Sequence, residues 1–218
     1  MRAMFDSIAG RYDLVNDVLS LFMDRRWRRV TADSVRARAG DVALDLGVGT
    51  GELGSQLAPG VRVVGVDVSA EMLRRARGRG RRRRLDVVQG SAFRLPFADG
   101  GFDAVVSGFV LRNLDDLPGA FAELARVVRP GGRIALVDIT QPRKPALRFL
   151  MNGYLGTAAP LLGRITGRAD AYRYLARSAT TLPPAREVCT LLSTAGFGSC
   201  GERSLAPGFV TLWTATRL

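Results

Sequence analysis

Between residues 42 and 139, short apolar runs that end near an acid or a glycine alternate with stretches of helical period. Val42–Leu46, Val61–Asp67, Asp86–Gly90, Phe102–Ser107 and Arg133–Ile139 read as strands, buried on both faces because most of their positions are apolar. Glu52–Ala58 reads as a helix. Ser69 can cap another, through about Arg77, with Met72, Leu73 and Ala76 on one face. A third runs from about Asp116 to Val128 and is closed by Pro130-Gly131-Gly132. Strands alternating with helices predict the α/β class and a mainly parallel sheet.

The two ends of the chain depart from this alternation. Residues 4–38 read as two helices, the first with Leu14, Val18, Leu21 and Phe22 at helical spacing, the second basic, with Asp24 as its N-cap. Residues 1–38 are therefore expected to form a helical lid on a single domain spanning 1–218. Residues 143–182 are expected to form a second helical cover. Within them, Arg148–Arg164 is largely apolar and is broken by Pro160 and three glycines, too short and interrupted to span a bilayer. Its periodicity does not choose between a cover over an acceptor site, an interfacial segment touching lipid, and helices packed on the core. Asp170–Leu175 starts another helix. Pro183-Pro184 opens the next, to about Ala195, and Gly196 ends it. Gly198–Leu205 and Phe209–Thr216, joined by Ala206-Pro207-Gly208, read as an antiparallel hairpin that closes a seven-stranded sheet.

Composition adds exclusions. The chain has 218 residues, enough for one α/β domain with a sizeable core. The start Met1–Asp6 has no signal-peptide core, so a cytoplasmic location is expected. There is no histidine, and Cys189 and Cys200 lack metal-ligand spacing, so no metal site is expected. Two cysteines without a secretion signal give no argument for a disulfide. The net charge of +12 admits nucleic acid, an anionic membrane surface, or a background preference for arginine. The densest run, Arg77–Arg84, reads as an exposed loop with no interleaved aromatics, which weakens a single-stranded nucleic-acid reading.

Candidate chemistry centres on Asp45-Leu46-Gly47-Val48-Gly49-Thr50-Gly51, a glycine-rich turn between a strand and a helix. In doubly wound α/β folds such turns bind nucleotides at the carboxyl ends of the strands. Asp67, at the end of the next strand, can accept both hydroxyls of a ribose. The spacing is D-x-G-x-G-x-G. It is neither the dinucleotide pattern nor a P-loop. It resembles motif I of the class I methyltransferases, which use S-adenosylmethionine and have a Rossmann-like fold. In that fold the loop Ser91–Phe97 closes over the adenine, with Ser91 facing the base.

Phe5-Asp6-Ser7-Ile8-Ala9-Gly10-Arg11-Tyr12-Asp13-Leu14-Val15-Asn16 resembles the opening F-D-x-I-A-x-R-Y-D-x-x-N of the ubiquinone/menaquinone biosynthesis C-methyltransferases. Val18–Leu21, Asp24–Arg29, Leu95-Pro96-Phe97, Leu111-Arg112-Asn113, Arg129–Gly132 and Asp170–Leu175 continue the likeness over almost the whole chain. The resemblance implies methyl transfer from S-adenosylmethionine to a ring carbon of a polyprenyl quinol, demethylmenaquinol foremost. Cofactor contacts would come from Tyr12 and from Asp45, Gly47, Gly49, Thr50 and Gly51 in the first turn. Asp67, Val68 and Met72, the loop residues Ser91, Ala92 and Phe93, and Ser107 with Gly108 would supply the rest. Arg112 and Asn113 match the active-site pair.

With no histidine to act as base, Arg112 is expected to stabilise a phenolate and Asn113 to orient the ring. Tyr12, Tyr154, Tyr172 and Tyr174 are candidates for lining the site. The chain departs from the family pattern at Ser91, usually Asn or Asp, at Gly108, usually Ser, and at Val110, usually Gly. These departures leave open another aromatic or natural-product acceptor. The expected partner is a lipophilic aromatic small molecule, with peripheral membrane contact and a homodimer as further expectations and no nucleic acid. An RNA methyltransferase, suggested by the arginine run, is the competing reading. A non-catalytic binding protein is a third.

Overall fold

The computed structural model describes residue 20 and residues 22–80, 85–142, 144–151, 153, 156–157, 181–206 and 208–218. Its centre is a seven-stranded sheet. The strands are β1 (Val42–Leu46), β2 (Arg62–Asp67), β3 (Leu85–Gln89), β4 (Phe102–Gly108), β5 (Val128–Ile139), β6 (Phe197–Ala206) and β7 (Val210–Arg217). They lie in the order β3-β2-β1-β4-β5-β7-β6. Strands β1 to β5 run parallel, and β7 inserts antiparallel between β5 and β6. The helices α1 (Asp24–Ser34), α2 (Ala70–Gly80), α3 (Leu117–Val127) and α4 (Ala185–Thr194) surround it.

Strand alternation sends each central strand's side chains into two cores. Leu44, Val105, Leu136 and Trp213 face the layer built by α3 and α4, with Phe121, Leu124, Val188 and Leu192. Ala43, Val106, Val137 and Leu212 face the layer that receives Trp27, Ala32 and Val35 from α1 and the residue after it. The Trp213 indole N–H donates to the Ala185 carbonyl at 2.9 Å, which locks α4 to β7. The Arg217 guanidinium donates to the Ala125 and Gly196 carbonyls, where α3 and α4 end.

Several elements differ from the sequence reading. Glu52–Ala58 is not a helix and holds only a 3₁₀ turn at Gly54–Gln56. The Gly54 N–H goes to the Asp45 carboxylate, and Leu57 is already extended two residues before Pro59, where the residue preceding proline disfavours helix. Strand β5 begins at Val128, so Pro130-Gly131-Gly132 lies inside it. The ladder pairs Phe102 with Val128 and then Ala104 with Arg133, so the residues between bulge outward. Asp24 is the first residue of α1 rather than its cap, and its carboxylate pairs with Arg28 at 3.3 Å. Phe22 has φ +62 and is 62% exposed, off any buried face. Leu14, Val18 and Leu21 lie outside the described residues. Helix α2 runs on through Gly80, so the start of the arginine run is helical, and Arg81–Arg84 lie outside the described residues.

Residues 145–151 are helical, and the Asp170–Leu175 helix falls outside the described residues. Cys189 in α4 and Cys200 in β6 form a disulfide, which their sequence gave no reason to expect. Among the described residues no helix is long and apolar enough to cross a membrane.

Candidate active site

The site lies at the carboxyl ends of the parallel strands, beside the turns that leave the neighbouring strands β1 and β4. The glycine-rich turn after β1 needs positive φ at each glycine: +67 at Gly47, +53 at Gly49 and +85 at Gly51. This left-handed region is costly for any residue with a Cβ. The turn is tied to β2 by Asp67, whose Oδ2 accepts the Gly49 N–H at 3.0 Å. Its Oδ1 accepts the Ser69 N–H at 2.9 Å, and the Ser69 hydroxyl caps α2 by accepting the Met72 N–H at 3.1 Å. One carboxylate thus fixes both the turn and the start of α2, and Asp67 also lines the cavity.

That cavity has a volume of about 550 Å³. Gly47, Gly49, Asp67, Val68 and Met72 form one side of it. Ser91, Ala92 and Phe93 form another, and Gly108 and Asn113 a third. The structure therefore brings together ten of the residues singled out from sequence. Asp45, Thr50, Gly51, Ser107 and Arg112 are absent from its walls and sit behind them. Burial holds the Asp45 carboxyl up to about 7, against the Gly54 N–H, which favours its charged form. Thr50 is buried. The Ser107 hydroxyl donates to the Leu46 carbonyl at 2.8 Å, which braces β1 against β4. Tyr12, Tyr154, Tyr172 and Tyr174 lie outside the described residues.

Arg112 sits in a 3₁₀ turn, Leu111–Asn113, directly after β4. Its side chain is buried, with Nη1 bonded to Asp138 Oδ1. Its guanidinium carbon lies 5.8 Å from the Phe109 ring centroid, and that of Arg28 lies 5.5 Å away. Phe109 itself has φ +63 and donates its N–H to the Val137 carbonyl. The sequence reading missed Gln89, Phe109, Leu114 and Asp115 on the cavity wall, and Asp138 behind it. Their signal was positional only: each lies at or just beyond the carboxyl end of a parallel strand.

A family model described as the ubiE/COQ5 methyltransferase family matches residues 1–217. The chain belongs to the ubiE/COQ5 methyltransferase family. It is a methyltransferase, and its methyl donor is S-adenosylmethionine. It is 44% identical to a demethylmenaquinone methyltransferase of Beutenbergia cavernae, over 99% of this chain and 90% of the relative. It is 35% identical to a ubiquinone/menaquinone biosynthesis C-methyltransferase of Hahella chejuensis, over 98% of this chain and 90% of that one.

Among solved structures, it resembles an S-adenosylmethionine-dependent methyltransferase of Thermotoga maritima, with TM-score 0.67, 18% identity and 100% of both chains covered. A chain from a complex of the Haloferax volcanii Trm112 activator with a methyltransferase matches with TM-score 0.70 and 18% identity, covering 97% of this chain and 96% of that one. At such identities these neighbours bear on the fold alone. They share the Rossmann-like class I architecture implied by the likeness of the glycine turn to motif I.

The residues present fit the donor. A glycine turn whose backbone can be approached closely at Gly49, an acid at the end of β2 and a mostly apolar cleft offer places for its amino-acid, ribose and base portions.

Proposed function

We propose that this protein methylates a ring carbon of a polyprenyl quinol, with demethylmenaquinol the acceptor that the names of its relatives point to. What carries the reading is the coincidence of a full-length family match with a cavity that presents Asn113 from the turn after β4. Asp67 would accept the ribose hydroxyls, the Ser91–Phe93 loop would cover the base, and the Gly47–Gly51 turn would hold the remainder of the donor. Bound S-adenosylmethionine supplies an electrophilic methyl group on a sulfonium.

Ring-carbon methylation requires charge on the ring. Loss of a hydroxyl proton gives a phenolate. Its ring carbon forms the new bond as the carbon–sulfur bond breaks, and the ring proton leaves to restore aromaticity. Arg112, held behind the cavity wall by Asp138, favours the phenolate from there without touching the ring, and the Asn113 amide, on the wall itself, orients the ring, so the chain contributes position and electrostatics. Arg112→Ala should lower turnover about 100-fold, and NMR of the product should place the new methyl on a ring carbon. Near-normal turnover in that variant would remove the assigned role.

The acceptor's lipid character suggests work at a membrane face. The net charge of +12 supports this, as do Phe149 and Leu150 on the 145–151 helix, 79% and 61% exposed. Cations near an anionic leaflet add about 1 kcal/mol each.

A further inference from the structure

The 3₁₀ turn Leu111–Asn113 is short, closed by the Asn113 N–H to the Val110 carbonyl and the Leu114 N–H to the Leu111 carbonyl, with the Asn113 side-chain amide donating to the Phe109 carbonyl at 3.3 Å. Yet Arg112 is gripped from outside at three points: its backbone N–H, its carbonyl and Nη1 of its guanidinium. Asp138 Oδ2 accepts the Arg112 backbone N–H at 3.1 Å, and Oδ1 takes the guanidinium. The Thr181 hydroxyl donates to the Arg112 carbonyl at 2.9 Å. Asp138 is fully buried near the end of β5, paired in the sheet with Thr211, and its Oδ1 also accepts the Ile139 N–H at 2.7 Å. It is thus held rigidly while it holds the turn.

A buried ion pair of this kind is a poor device for stability, since apolar replacements of equal volume often do as well or better. Its position immediately behind Asn113, which reaches the cavity, calls for another use. We infer that Asp138 is a positioning residue for methyl transfer. It fixes the backbone and the guanidinium of Arg112 together, and so sets where Arg112 and Asn113 stand relative to the acceptor. Thr181 completes the clamp from the segment that enters α4. This rests on the reading of Arg112 and Asn113 as the acceptor-side pair.

Geometry held to within about an ångström is worth on the order of 100-fold in rate, so a loosened clamp should be visible in kcat. The donor-binding walls at Gly47, Asp67 and Ser91 belong to other elements and should be spared.

The test compares wild type, Asp138→Asn and Thr181→Val as full-length protein. Steady-state kinetics use a reduced short-chain demethylmenaquinol, calorimetry gives the donor affinity, and hydrogen exchange follows residues 109–114 in the donor-free protein. Wild-type methylation of the quinol settles the acceptor separately, before any variant is compared. The expected result for Asp138→Asn is a kcat at least about tenfold lower, donor affinity within about twofold, and faster exchange confined to that stretch. Thr181→Val leaves no buried charge unpaired and keeps the proposal testable if Asp138→Asn does not fold. It should show the same pattern at smaller size. Unchanged kcat in the folded variants overturns the inference. So does a loss of donor affinity equal to the loss of rate, because it would mark a general collapse of the site.

Discussion

Val110 occupies the space directly over the Gly47 Cα, so a Cβ at position 47 would collide with its isopropyl group. Gly47 also holds φ +67. Gly47→Ala therefore meets two separate obstacles, backbone strain and a steric clash. The strain alone is worth about 1–2 kcal/mol, so the unfolding free energy measured in urea should fall by at least about that much. Val110→Gly in the same background should remove the clash and recover part of the loss. Failure of the second change to recover anything would show that the collision is relieved in another way.

Asp45 makes the stability of the donor-free protein depend on pH. Burial raises its pKa from 3.8 to about 7 in the folded chain. Between those values the folded state holds a proton that the unfolded chain has released. The contribution of Asp45 is therefore most favourable below about 4, falls as pH rises toward about 7, and is level above that. Asp45→Asn keeps an acceptor for the Gly54 N–H without the charge. Urea midpoints compared at about pH 5 and about pH 8 should differ less in this variant than in wild type. An identical difference would assign the slope to other groups.

The parallel sheet, the hairpin, the glycine turn and Asp67 were legible because each has a local signal: an apolar run, a turn residue or a fixed spacing. The short turn at Gly54–Gln56 was not, because the carboxylate that diverts the Gly54 N–H lies nine residues earlier and across the turn. Asp138 was hidden for a related reason. It reads as one acid at the end of an apolar strand, and only the packing of β5 against the turn after β4 brings it to Arg112. Ser107 and Thr50 are both buried, and the Ser107 hydroxyl is bonded to the Leu46 carbonyl, contacts that their places in the sequence do not announce.

The Cys189–Cys200 bridge joins α4 to β6 across a separation of 11 residues. A loop of that size corresponds to about 3 kcal/mol of denatured-state entropy in the chain model. Reduction with dithiothreitol should lower Tm by several degrees, and Cys189→Ser with Cys200→Ser should match the reduced protein. Equal Tm values for the oxidised protein, the reduced protein and the double variant would show that the bridge contributes nothing to stability.

Phe149 and Leu150 should govern attachment to anionic vesicles. Pelleting with vesicles rich in phosphatidylglycerol at low salt is expected for wild type, with release at high salt. Phe149→Ser with Leu150→Ser should reduce the bound fraction while leaving turnover of a water-soluble short-chain quinol intact. Binding equal to wild type would move the contact elsewhere on the surface. Loss of a dimer in sedimentation, with vesicle binding unchanged, would make this face a protein interface.

The most direct test of the central claim is methyl transfer from labelled S-adenosylmethionine to demethylmenaquinol kept reduced, with total RNA offered in parallel. Label is expected in the quinone extract, at a ring carbon, and none in RNA. Label in RNA, or in neither acceptor while calorimetry shows the donor bound, would contradict that claim.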